Sequence, residues 1–179
     1  MLKNVHRNKK IMNSVTYEHE DHIENIKTVT TKLDELPTDF SLPNGWTKRE
    51  LLIHLNGWDQ EFAKLAQKAL DGGLKNFFFK FESITADERA ILEKEFLFEH
   101  QEMDLDFIKW NDYKQEQMKE KTFKEVEELF KSTRKKVIAL FEELAEKKKE
   151  NKYTGQILSL WTHDREHLEQ GGVEVKIVG

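Results

Sequence analysis

Apolar residues recur at steps of three and four over four long stretches of this chain, and that spacing predicts four amphipathic helices. The first, over 16–36, carries Ile23, Ile26, Thr30, Leu33 and Leu36 on one stripe, and Pro37 ends it. The second, over 47–71, opens on Thr47 and Glu50 as a capping box, with Trp46 and Leu51 as a hydrophobic staple. Its seam is Leu51, Leu55, Trp58, Phe62, Leu65 and Ala69, and Gly72-Gly73 closes it. The third, over 122–150, is capped by Thr122 and Glu125; Phe123, Val126, Phe130, Thr133, Val137, Leu140 and Leu144 make its stripe, and its end is charged. In the fourth, over 153–170, Ile157, Leu160, Trp161, Asp164 and Leu168 share a face. Gly171-Gly172 stops that helix, and residues 173–178 form a short tail of alternating apolar positions.

The stretch between the second and third helices is less regular. Phe77, Phe78, Phe79 and Phe81 form an aromatic run suited to docking an irregular connection. Thr85 and Glu88 can cap a further helix, with Ile91, Leu92, Phe96, Met103, Phe107 and Ile108 as its poorly periodic buried set. Residues 1–15 are polar, basic and aperiodic, which predicts a flexible N-terminal arm. Each helix has one apolar stripe to bury. The economical architecture is therefore an all-α four-helix bundle over residues 16–179, one domain, with an elaborated connection between helices two and three.

Composition narrows the class of function. The chain has 179 residues, 37% hydrophobic and 35% charged, enough for one sizeable core under a well-solvated surface. Only two prolines and eight glycines punctuate it, which favours long helices. A net charge of −5 gives no support for a nucleic-acid partner. No apolar run spans a bilayer, and the basic start is not followed by the apolar stretch of a signal peptide. The expectation is a cytoplasmic protein with no membrane partner. With no cysteine, the chain has no disulfide, no thiolate ligand and no sulfur nucleophile of its own.

The candidate chemistry lies in three histidines. His54 sits in the second helix, about 60° from the centre of its stripe at 100° per residue, so it faces the interior or its margin. His163 and His167 sit one helical turn apart on the flank of the fourth. Three imidazoles on two helices could converge on one divalent metal, and three protein ligands leave positions open for water or substrate. Neutral imidazoles suit Zn²⁺ or Ni²⁺. The string from His163 to His167 also fits the H-x-x-E-H pattern of inverzincin peptidases, but such an enzyme needs a further ligand well downstream and only a short tail follows.

The motif from Gly45-Trp46-Thr47 through Leu51-Leu52, His54-Leu55 and Trp58, with His163 and His167 near the end of the fourth helix, resembles the DinB/YfiT-like metalloprotein superfamily. Trp110-Asn111 followed by Glu116 and a charged helix is similar to the branch containing colibactin self-resistance proteins and the mycothiol-dependent maleylpyruvate isomerase N-terminal domain. The resemblance covers residues 16–170, except for the stretch from Gly73 to Asp106. It implies a four-helix bundle, often a homodimer, with His54, His163 and His167 as the metal triad. It also implies Zn²⁺ or Ni²⁺, and for several members a low-molecular-weight thiol used in transfer or isomerisation on a small-molecule substrate. The self-resistance branch instead implies metal-independent hydrolytic ring opening. A non-catalytic dimeric binding or stress-response module is the third reading.

Among neighbouring polar residues, Asp164 and Glu166 are the candidate catalytic groups, to orient a ligand or move a proton. For Asp164 a buried, purely structural bond to a neighbouring helix is the reading favoured over the catalytic one. Asp59, Glu61 and Glu166 fall by default on solvated faces. His6, His19, His22 and His100 lie in polar runs and read as surface residues. Trp46, Trp58 and Trp161 read as core or staple residues, and Trp110 as a docking hydrophobe or a pocket wall.

Overall fold

The computed structural model describes residues 17–72, 107–147 and 154–179. The expectations for the N-terminal arm, His6, His100, the phenylalanine run, the helix after Thr85 and the chain from 148 to 153 lie outside these residues. The described chain is all-α: α1 (His19–Glu35), α2 (Lys48–Leu70), α3 (Phe107–Gln117), α4 (Phe123–Lys147), α5 (Thr154–Leu158) and α6 (Leu160–Gln170). Its only β feature is an isolated antiparallel bridge, Ser41 to Thr47. No helix among the described residues is long and apolar enough to cross a membrane.

α2 is the central element. Every residue from 51 to 59 is buried, so this part of the helix is covered on all sides. It packs most extensively against α4, while α3 and α5 cover other parts of it, and α1 lies against α4, α5 and α6. Leu51, Leu55, Phe62, Leu65 and Ala69 are at most 3% exposed. Burying a Leu or Phe side chain contributes about 1.5–3 kcal/mol, so this seam is a large part of the core. The capping box at its start is present, with Glu50 accepting from the Thr47 N–H at 2.7 Å. Thr122 and Glu125 likewise start α4. Gly72 and Gly172 end α2 and α6 at φ +75° and +79°, where a side chain would be strained.

Four expectations need correction. The buried face of α1 holds His22, Asn25, Ile26, Val29 and Leu33, so Ile23 and Thr30 are at its margin. His22 is not a surface residue: it is 7% exposed and accepts a hydrogen bond from Trp161 Nε1 at 2.9 Å. The face of α4 is Val126, Phe130, Arg134, Val137, Phe141 and Leu144, with Thr133 and Leu140 half-buried beside it. The fourth predicted helix is divided at Ser159, whose hydroxyl donates to the Gln156 carbonyl at 2.7 Å. Such back-bonding competes with the helix ladder and bends it. The tail returns along α1, where the Asn25 side chain bonds both the N–H and the carbonyl of Val178.

Candidate metal centre

His54 lies in the second turn of α2, and its placement follows from the cap that fixes where the helix begins. α6 presents His163 and His167 from consecutive turns. The three Nε2 atoms form a nearly equilateral triangle: His54 to His163 3.1 Å, His54 to His167 3.1 Å, His163 to His167 3.2 Å. Zinc–imidazole bonds are about 2.0–2.1 Å, so one ion touching all three would see them about 100° apart. That angle lies between tetrahedral and octahedral values, and among the described residues no fourth His, Cys, Asp or Glu joins the group. The three residues could thus hold a metal ion.

The tautomers suit that role. Asn111 on α3 places Oδ1 2.8 Å from His54 Nδ1. An amide oxygen only accepts, so Nδ1 carries the proton and Nε2 presents its lone pair to the other two rings. Three ring nitrogens this close with too few protons between them repel one another, and a cation relieves that repulsion. Burial first, then the neighbouring imidazoles His163 and His167, lower the His54 pKa to about 3. Burial and His163 lower that of His167 to about 4. Both are neutral donors at pH 7.

The walls are aromatic. The Trp46 ring lies 5.1 Å from His54 and stacks at 6.3 Å near His167. Its loop is fixed by Leu42 N–H to Trp46 carbonyl, 2.7 Å, and by Lys48 N–H to Phe40 carbonyl, 2.9 Å. Trp58 packs edge-on against His163 at 5.6 Å and at a tilt against Trp110 at 5.0 Å. With Asn44, Asn111, Glu166 and the three histidines, Trp46 and Trp58 line a cavity of about 360 Å³. A second cavity of about 350 Å³, on Trp58, Phe62, Leu160 and Ser159, meets the first at Trp58 and His163. Trp110 is 3% exposed and packs on α2 as a docking hydrophobe.

Glu166 is exposed and sits on the cavity wall. Asp164 is fully buried, away from the cavity. Its Oδ2 accepts from Arg134 Nη1; Arg134 also donates through Nε to Asp59 Oδ2 at 2.8 Å, and its Nη2 lies in ion-pair contact with Asp59 Oδ1 at 2.8 Å. Asp59 and Glu61 therefore do not lie on a solvated face. Asp59 is 0% exposed, and Glu61, at 1%, pairs with Lys64 at 3.1 Å. One guanidinium shared by two buried carboxylates drives their acidities apart. Burial and the Asp164 charge push Asp59 up to about 7 against the pull of Arg134. For Asp164, burial is outweighed by Arg134 and His163, and its pKa falls below the ordinary value.

Asn111, Arg134 and Asp59 are the site-associated residues whose contacts the sequence did not reveal. Arg134 carried one usable signal: it is four residues after Phe130 and three before Val137, on the apolar seam itself. Compared with known proteins, the chain matches no family model, no curated protein and no solved structure.

Proposed function

We propose that this protein is a metal-dependent enzyme of the DinB/YfiT-like type that joins a low-molecular-weight thiol to a small electrophile. α1, α2, α4 and the α5–α6 pair serve as the four helices of the bundle, and α3 belongs to the connection between the second and third. The observation that carries the reading is the triangle of three Nε2 atoms, 3.1–3.2 Å on a side, at a cavity. A divalent ion held there, Zn²⁺ or Ni²⁺, would supply Lewis acidity and make thiolate available near neutral pH.

The chain's own residues do the rest. His54, His163 and His167 hold the ion, and Asn111 fixes the His54 ring. Trp46 and Trp58 give the electrophile an apolar wall. Glu166, on the cavity wall, would accept the thiol proton; the S–C bond then forms and the leaving group departs with its electron pair. The thiol comes from outside, because the chain has no cysteine. Hydrolysis is the second reading, since the same cavity admits water and Glu166 could serve it as the base. The homodimer suggested by the resemblance and a cytoplasmic location belong to this proposal.

The test is conjugation of glutathione or free cysteine to a chloronitrobenzene electrophile, comparing Zn²⁺- or Ni²⁺-loaded wild type with His54→Ala. The variant should lose most of the rate. Equal rates would rule out metal-assisted transfer and favour the metal-independent hydrolase or the binding module.

A further inference from the structure

We propose that the buried Asp59–Arg134–Asp164 cluster belongs to the metal centre, with Asp164 positioning His163 as a ligand and Arg134 and Asp59 holding Asp164 in place. The inference rests on the metal reading above and extends it to residues outside the triad.

Asp164 Oδ1 lies 3.7 Å from His163 Nδ1. Both atoms are closed off from solvent, and neither has a hydrogen-bond partner among the described residues. If Nδ1 carried a lone pair, two buried electron-rich atoms would face each other. If it carries the proton, a buried N–H faces a carboxylate oxygen. The second arrangement is favoured, and it leaves the lone pair on Nε2, where the other two imidazoles converge. Asn111 does the same for His54 with a neutral oxygen at 2.8 Å. Asp164 does it for His163 with a charged one.

The carboxylate has little freedom. Its other oxygen is held by Arg134, which Asp59 grips through two nitrogens and Thr30 approaches at 3.4 Å. α1, α2, α4 and α6 thus meet at one guanidinium. As a device for stability alone the cluster is a poor choice, because buried ion pairs are often replaceable by apolar side chains at no loss. A divalent ion held by three imidazoles brings positive charge into a dry site, and a carboxylate behind a ligand ring answers it.

The test uses Co²⁺ as the probe ion, whose visible absorption reports both affinity and ligand geometry, titrated against a competing chelator. Wild type, His54→Ala and Asp164→Asn are compared, and the metal-free melting of each is recorded. Asp164→Asn should bind Co²⁺ about 10–100-fold more weakly than wild type, with an altered spectrum. A folded Asp164→Asn with wild-type affinity and spectrum overturns the proposal while leaving the triad intact. If wild type binds no more Co²⁺ than His54→Ala, the metal reading falls and this inference with it. If Asp164→Asn does not fold, nitrogen-15 spectra of the metal-free wild-type imidazoles decide. His163 protonated on Nδ1 supports the proposal, and His163 protonated on Nε2 overturns it.

Discussion

A histidine in water is neutral at pH 7 by a narrow margin, and burial widens that margin here. His54, with a pKa near 3, and His22 and His167, near 4, stay unprotonated in the folded protein well below 6.5, the value they regain on unfolding. The sign follows: as pH falls below about 6.5 the unfolded chain binds protons that the folded chain refuses, so stability drops until the folded-state values near 4 and 3 are reached. The stabilisation is fully present above about 6.5. Metal-free melting temperature should therefore decline from pH 7 to pH 4.5, and His54→Gln should flatten that decline. An unchanged slope in the variant, measured by calorimetry, would contradict the assignment of a buried neutral His54. His163 and His167 were legible as a pair because residues one helical turn apart share a face, and His54 was joined to them by the motif that carries the resemblance. Asp59 and His22 were not, since a polar residue in a polar run reads as solvated unless its partner is known. Their partners, Arg134 and Trp161, lie 75 and 139 residues away.

The positions of α2 and α4 were readable from caps and seams, because those signals are local. How α3 lies against α2 was not, and the reason is a close approach. A Cβ on Gly57 would come within 2.7 Å of Trp110 Cη2 and 3.3 Å of Lys114 Cγ. Arg49 and Gln115 fasten the same pair of helices through the Met118 carbonyl at 2.6 Å and the Glu50 carbonyl at 2.9 Å. Gly57→Ala should therefore cost about 1–3 kcal/mol from overpacking, although alanine favours a helix by about 1 kcal/mol over glycine. It should also weaken metal binding, because Trp110 and Asn111 shift together. Denaturant unfolding and a Zn²⁺ titration check both, and a more stable variant with full affinity would contradict this packing. On α4, Arg134→Met leaves two buried carboxylates without their cation and should lose about 3–5 kcal/mol. Retained wild-type stability on urea unfolding would show that the cluster is not the buried junction described.

For the whole molecule, a metal ion at the candidate centre would tie together helices distant in sequence. His54 comes from α2, His163 and His167 from α6, and Asn111 from α3 braces the first. An ion that binds this assembled set and not the unfolded chain stabilises the fold by about 2.7 kcal/mol at a hundred times its dissociation constant. Added Zn²⁺ or Ni²⁺ should raise the melting temperature of wild type and leave that of His163→Ala unmoved; the same rise in both would place the ion elsewhere. The central claim, that His54, His163 and His167 hold one divalent ion, is tested most directly by elemental analysis. Untagged protein would be loaded with Zn²⁺, dialysed free of excess and counted for metal per chain. The account predicts one ion per chain in wild type and almost none in His54→Ala, His163→Ala or His167→Ala. Stoichiometric metal retained by His163→Ala, or none retained by wild type, would contradict it.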